Sequence, residues 1–597
     1  MRLLRRLIAV VLATSLISAA VGSSSSAVGS SSSSAVVDDD DHYEYDENLL
    51  LKTLPGNSVL ASFRFVMNGT FNNHHSVFPR SLAQILSQSH ARELHLKFSL
   101  GRWDAERWGT PIGKAGGTGV ELWAWVEADD DAGADKRWTT LTNALSGLFC
   151  ASLNFIDGTR TIRPVMSFQP EGHHSEREME RLHLLHGSLP REPVCTENLT
   201  PFLKLLPCKG RAGISSLLDG HKLFDAQWQS MSVVIKPVCD GDRCRLQVEQ
   251  TVDMVLDVER SLQRRDSPVP KPRSIEQLNC DATKFYGVGD ACFPQADLAD
   301  LPWSLAEIFG RPIRGVCPLA RSGSEEPAAH VCAVVPAGRP IFVSQDSYEV
   351  KRQDGTRCFV LPNGKDFDII LPLQSPPLPQ DISPPPLYAS RSFTGHGQER
   401  GGVQAVLRNP SPTDSVEFIY LESLPWFMKP YLHTLRTTLS PPSPLDPLRS
   451  LFYRPVLDRA RGAHLEAALT LPPNSTLTLS YDFDKSVLRY TEYPPDANRG
   501  FDVAAAVITI PRTGFAIRTT SLLLSLPTPD FSMPYNVIIL SSTVIALAFG
   551  SIFNLLVRRF VAADAMPRRG ARLMTVRGKI LAVVKRLKER GAKRKTE

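Results

Sequence analysis

Ten cysteines lie between Cys150 and Cys358, and none lies outside that stretch. A thiol can act as a nucleophile, a metal ligand or half of a disulfide. Nucleophilic use needs a histidine partner, which meets the cysteine only in space and cannot be paired with it by spacing. Four histidines, His173, His174, His183 and His186, crowd residues 171–187. No cysteine or carboxylate at metal-ligand spacing accompanies them, so the stretch reads as a solvated polar loop. Cys239 and Cys244 frame a four-residue Asp-Gly-Asp-Arg turn. A C-x4-C zinc half-site is the rival reading, but no second pair completes it, and a Cys239–Cys244 disulfide is expected. Pairing of the other cysteines stays open. No G-x-S-x-G elbow, H-E-x-x-H helix, phosphate-binding loop or G-x-G-x-x-G turn occurs, and no cofactor is implied. Asn68, Asn198 and Asn474 head N-x-S/T sequons, whereas Asn409 is followed by proline. The three are expected as surface N-glycosylation sites.

These groups need a compartment, and the apolar segments supply one. Val537–Val557 carries no charge and is long enough, at about 1.5 Å per helical residue, to cross a hydrocarbon core of about 30 Å. The segment after it holds 14 Lys/Arg against 3 Asp/Glu, a net of +11. Positive flanks stay cytosolic. At the other end, basic MRLLRR precedes a short apolar run and small residues, the pattern of a cleaved signal peptide over 1–22. The expected topology is single-pass type I: a lumenal body, a membrane helix over 535–557 and a basic cytosolic tail over 558–597. Setting the tail (+11) and three N-terminal arginines aside from the whole-chain charge of +5 leaves −9 on the body. The basic isoelectric point is therefore no argument for nucleic acid, and the tail suits anionic headgroups. All ten cysteines fall where oxidation is permitted.

The body reads as mainly β, in β-sandwich-type domains with a few helices. Residues 23–47, Ser-rich and then acidic, read as disordered. A first mainly-β domain is expected over 48–374. Period-two alternation marks strands in 59–67, 93–98, 120–128 and 151–156, and a hairpin over 230–259. Helical spacing follows Pro79 and recurs over 138–149. The Pro-rich run 375–386 reads as a linker. Beyond it, alternating segments separated by turns read as a β-sandwich domain over 387–531.

Within the span, Ser542, Ala546, Gly550 and Asn554 recur every four residues. A helix puts them on one stripe, where small residues permit close packing and an amide in lipid needs a hydrogen-bond partner. The expectation is a helix packed against other membrane subunits or a lipid-like ligand.

LPTPDFSMPYNVI (526–538), running into GSIFNLL (550–556), closely resembles the PIG-T-type subunit of GPI transamidase. So do LSGLFCASLNFIDGT (145–159), LPREPVCTENLTPFLKLLPCKGRAG (189–213), RELHLKF (92–98) with Trp103 and Trp108-Gly109, and GVELWAWV (119–126). LPWFMKPYLHTL (424–435) and RYTEYPPDANRGFDV (489–503) match as well. The blocks are collinear over nearly the whole mature chain. The resemblance implies a non-catalytic, stabilising subunit of a complex in the endoplasmic reticulum membrane that attaches GPI anchors to precursor proteins. It implies chemistry on a separate caspase-like subunit, a disulfide to that subunit, and other multispan partners; contact with the GPI lipid stays open. Cys195 is the candidate for the interchain bond, with internal pairing to Cys208 or Cys150 as the alternative. Lys593 and Lys595 sit in a K-x-K-x-x pattern that resembles a retrieval signal. A GPI-anchored substrate would end at its apolar segment, whereas here a basic tail follows. The rival readings are a membrane-anchored β-sandwich adhesion or receptor protein and a lumenal hydrolase built on a Cys–His pair.

Overall fold

Alternation builds the first sheet. In Glu44–Leu54 (β1) every second side chain is buried, and Tyr45, Glu47, Leu49 and Leu51 share one face. Gly56 and Asn57, both at positive φ, close the turn to Ser58–Gly69 (β2). This computed structural model describes residues 43–69, 78–111, 115–241, 243–262, 300–321, 327–344, 347–351, 356–376, 382–395, 397–494, 496–528, 532–558 and 578–586, with 280, 281, 283, 293, 378 and 530 between them. The expected signal peptide over 1–22 and the Lys593/Lys595 pattern lie outside the described residues. The disordered segment expected over 23–47 needs correcting at its end. Glu44 already begins β1, because Glu47 is buried among the apolar residues it alternates with.

The sheet continues through Ala91–Leu100 (β3), Gly119–Glu127 (β4), Thr161–Ile162 (β5), Leu182–Leu189 (β6), Trp228–Asp240 (β7) and Arg243–Asp257 (β8). Its order is Glu349–Lys351, Arg357–Val360, Ala329–Val334, β1, β2, β8, β7, β3, β4, β6, β5, eleven strands among the described residues. Among the described residues of this sheet, only the pairing of β1 with Ala329–Val334 is parallel. A disulfide joins Cys239 to Cys244 across the β7–β8 turn, and others join Cys208 to Cys317 and Cys332 to Cys358.

Helices cover one face of this sheet. Arg80–Ser89 (α1) buries Leu82 and Leu86. Asp131–Phe149 (α2) buries Ala134, Trp138, Leu141, Leu145 and Phe149 at helical spacing, and Asp130 caps it by accepting from Gly133 N at 2.8 Å. Thr196–Leu205 (α3) adds Leu199, Phe202 and Leu205. Together with Phe63, Phe65, Leu96 and Phe98 they form one continuous core. Two local expectations fail. Residues 151–156 do not return to a strand, since Leu153–Phe155 is a 3-10 turn after the left-handed Cys150. Nor is 171–187 a solvated loop: His186 lies buried on β6, and the His174 side chain is 3 % exposed against Glu93.

The later strands form a β-sandwich. One sheet runs Tyr388–Thr394, Arg400–Arg408, Thr476–Lys485, Met428–Pro430, with Arg436–Ser440 also paired to Thr476–Lys485. The other runs Leu448–Arg454, Ala463–Leu471, Val416–Leu424, Val507–Ile510, Phe515–Arg518. A polar cluster joins them inside: Tyr420 and Tyr481 donate to Glu422, the latter at 2.6 Å, and Arg391 lies 3.4 Å from the same carboxylate. Burial and Glu422 push both phenols well above their usual range, which keeps them as neutral donors. Sheet membership changes between Leu371 and Tyr388, on either side of the Pro-rich run.

Two compact units result. The first comprises Met1–Ser486 with Phe501–Leu524 and contains the eleven-stranded sheet and the sandwich. The second comprises Val487–Gly500 with Ser525–Glu597 and carries the helix Ser532–Val557 (α4). Tyr535–Val557 is long and apolar enough to cross a membrane, with a mean hydropathy of 2.0 and none of it buried.

Candidate functional site

Among the described residues, two free cysteines stand at helix ends that one asparagine links. Cys150 ends α2 in a left-handed conformation, φ 51°, with its amide bonded to Ser146 O. A side chain there costs about 1 kcal/mol relative to glycine. Cys195 is the N-cap residue of α3, in extended backbone. Both sulfurs are free, Cys150 exposed and Cys195 half-buried. Asn198 ties the two helix ends together. Its Oδ1 accepts from Cys195 N at 2.8 Å, and its Nδ2 donates to Phe149 O at 2.9 Å. One amide thus satisfies an orphan donor at the start of α3 and an orphan acceptor at the end of α2. Glu192 adds a second tie by accepting from Ser152 N at 2.7 Å.

This geometry corrects the sequon at Asn198. Its side chain is 1 % exposed and its amide nitrogen is committed to main-chain carbonyls, so it is not a surface acceptor. Asn474 is exposed in a turn. Asn68 is half-buried on β2, donating to Glu44 Oε2 at 2.9 Å and accepting from Gln247 at 3.0 Å. The internal alternative of Cys208 for Cys195 is not realised, because Cys208 bonds Cys317.

A second constellation, which sequence reasoning missed, locks the sandwich to the sheet within the first unit. Glu121 on β4 receives Arg518 Nε and Nη2, both at 3.1 Å, with His186 Nε2 3.3 Å away. Burial would raise this carboxyl, but Arg518 and His186 outweigh it and hold it well below the usual range. Glu466 accepts three consecutive backbone amides, Val165, Met166 and Ser167, at 2.7, 2.8 and 2.9 Å. Trp123, Ile162, Phe168, Leu184, Leu421 and Val507 pack beside these links. Nearby, Glu93 is gripped by His95 at 2.7 Å and His174 at 2.9 Å, while His95 stacks on Trp123. Burial holds His95 down to about 4, so its ring is neutral at physiological pH. The carboxylates and rings in this region serve one another. The only sequence signal for them was the alternation Glu93, His95, Lys97 on the face of β3 opposite the helices.

The span presents its stripe openly. Ser542, Ala546 and Asn554 are exposed on α4, and a Cβ added at Gly550 would meet nothing within 4 Å.

The sequence profile described as "Gpi16 subunit, GPI transamidase component" matches residues 25–584. The chain is 41 % identical to the GPI transamidase component GPI16 of Saccharomyces cerevisiae, over 87 % of this chain and 90 % of that protein. It is 34 % identical to the PIG-T homolog of Schizosaccharomyces pombe over 87 % and 90 % of the two chains. Against the GPI-anchor transamidase component PIGT of Homo sapiens, identity is 32 % over 88 % and 91 %. A solved collagen-binding domain of the Erysipelothrix rhusiopathiae surface protein RspB aligns at 9 % identity and TM-score 0.15, covering 36 % of this chain and 80 % of that one; so low a score carries no argument.

Proposed function

The chain belongs to the Gpi16 family of GPI transamidase components, and we propose that it is the non-catalytic subunit that holds this complex together and positions its substrate. The observation that carries the reading is the family match over residues 25–584, nearly the whole chain. The adhesion or receptor alternative has no such support.

In this reading Cys195 forms a disulfide with a separate caspase-like subunit that carries the catalytic thiol and histidine. Its thiol is free, half-exposed and fixed at a helix start by Asn198, so a partner thiol can approach a sulfur whose position is set. The stripe on α4 packs against multispan subunits. The protein sits in the endoplasmic reticulum membrane as a type I chain, with its β body in the lumen. Asn68 and Asn474 carry glycans there, and Lys593 with Lys595 serves retrieval.

Transamidation requires a precursor's carbonyl to be held near a nucleophile and then near the incoming amine. Converting such encounters into an intramolecular arrangement is a proximity effect, and it depends on a support that does not bend. The Glu121–Arg518 and Glu466 links couple sheet and sandwich in that manner. The chain thereby contributes orientation and assembly.

The test is a non-reducing gel of the purified complex. The wild-type chain should run as a high-mass band that reduction collapses. Cys195→Ser should abolish that band and Cys150→Ser should leave it. A band unchanged in Cys195→Ser rejects the assignment.

A further inference from the structure

Residues 578–586, Gly-Lys-Ile-Leu-Ala-Val-Val-Lys-Arg, form a helix beyond the span. Ile580, Leu581, Val583 and Val584 on it are 57, 67, 55 and 47 % exposed. At about 100° per residue they occupy an arc of about 160°. Lys579, Lys585, Arg586 and the small Ala582 fill the remainder, with Ala582 opposite the middle of the arc. Four large aliphatic side chains on one open face gain free energy by leaving water, and such an exposed apolar face marks an interaction site.

Two facts name the occupant. The helix follows the apolar span Tyr535–Val557 in the same chain, so it is tethered close to a bilayer surface. The segment from 558 onward has a net charge of +11, complementary to anionic headgroups. We propose that the helix over 578–586 lies in the headgroup plane of the bilayer that α4 crosses. Ile580, Leu581, Val583 and Val584 enter the acyl boundary, and Lys579, Lys585 and Arg586 face anionic lipid phosphates. A basic amphipathic helix of this composition is a lipid-surface binder by its own physics. Joined to a span, it gives the chain a second membrane attachment, independent of any partner subunit.

The experiment uses the full chain reconstituted into phosphatidylcholine vesicles with and without phosphatidylserine. A photoreactive benzoylphenylalanine replaces Val584 in one sample and Ala582 in another, and lipid adducts are quantified after illumination. With phosphatidylserine present, several-fold more lipid adduct is expected from position 584 than from 582. The yield at 584 should fall several-fold when phosphatidylserine is omitted, and likewise in a Val583→Glu chain. Equal yields at the two positions, or no lipid adduct at 584, overturns the proposal. In the intact complex, labelling of another subunit from position 584 in place of lipid also overturns it, since a protein would then be the occupant.

Discussion

Asn198 illustrates how a residue's surroundings overrule its motif. As N-L-T it fits an acceptor; as a buried amide bridging α2 and α3 it is structural. Asn474→Gln should therefore remove a glycosidase-sensitive mobility shift, while Asn198→Gln should leave the glycan pattern unchanged and lower stability by about 1–3 kcal/mol through the unsatisfied helix ends. Loss of a glycan in Asn198→Gln would contradict the geometry. A second residue-scale test concerns Asp253 on β8. It is 1 % exposed, and burial raises its carboxyl from the ordinary 3.8 to about 7, with Glu249 adding to the shift. The folded chain then keeps a proton that the unfolded chain releases above its ordinary value. Stability from this group is complete below about pH 4 and is lost as pH rises to about 7, by at most about 4 kcal/mol. Asp253→Asn should remove that part of the pH slope in urea unfolding followed by tryptophan fluorescence. Identical slopes for the two chains would refute it.

At the scale of elements, the critical joint is sheet against sandwich. Arg518 is the cation for a nearly buried Glu121, and truncating one partner of such a pair leaves the other charge stranded. Arg518→Ala should cost about 3–5 kcal/mol of unfolding free energy, with Arg518→Lys recovering part of it. A loss under about 1 kcal/mol would mean the joint is held otherwise. In the membrane, Asn554→Leu should reduce recovery of partner subunits while leaving the extramembrane body folded, as read by its unfolding midpoint. Unchanged recovery would dismiss the stripe as a packing surface. The elements legible in the sequence were those with strict periodicity, β2, β3, β4, the β7–β8 hairpin and α1, together with α4, which its uncharged length marks. The 3-10 turn at 153–155 was misjudged because Leu153 and Ile156 are buried from a turn as readily as from a strand. The histidine segment was misjudged because polarity was equated with exposure, whereas His174 and His186 are buried against carboxylates from other strands. Such pairings join residues far apart in sequence and leave no local trace.

At the scale of the whole molecule, the chain combines a jointed β body, a free thiol at a helix start and an unaccompanied span. None of the three requires a partner alone, but each is suited to one. The cysteines and the span pointed to an oxidising, membrane-anchored setting, the collinear blocks resembled a transamidase component, and family membership bears that resemblance out. The most direct test is affinity purification of the tagged full chain in mild detergent, with the co-purifying proteins identified by mass spectrometry. The account predicts that a caspase-like subunit and multispan membrane subunits of GPI transamidase are recovered with it in near-equal amounts. Recovery of the chain alone, with GPI attachment unaffected when it is depleted, would contradict the account.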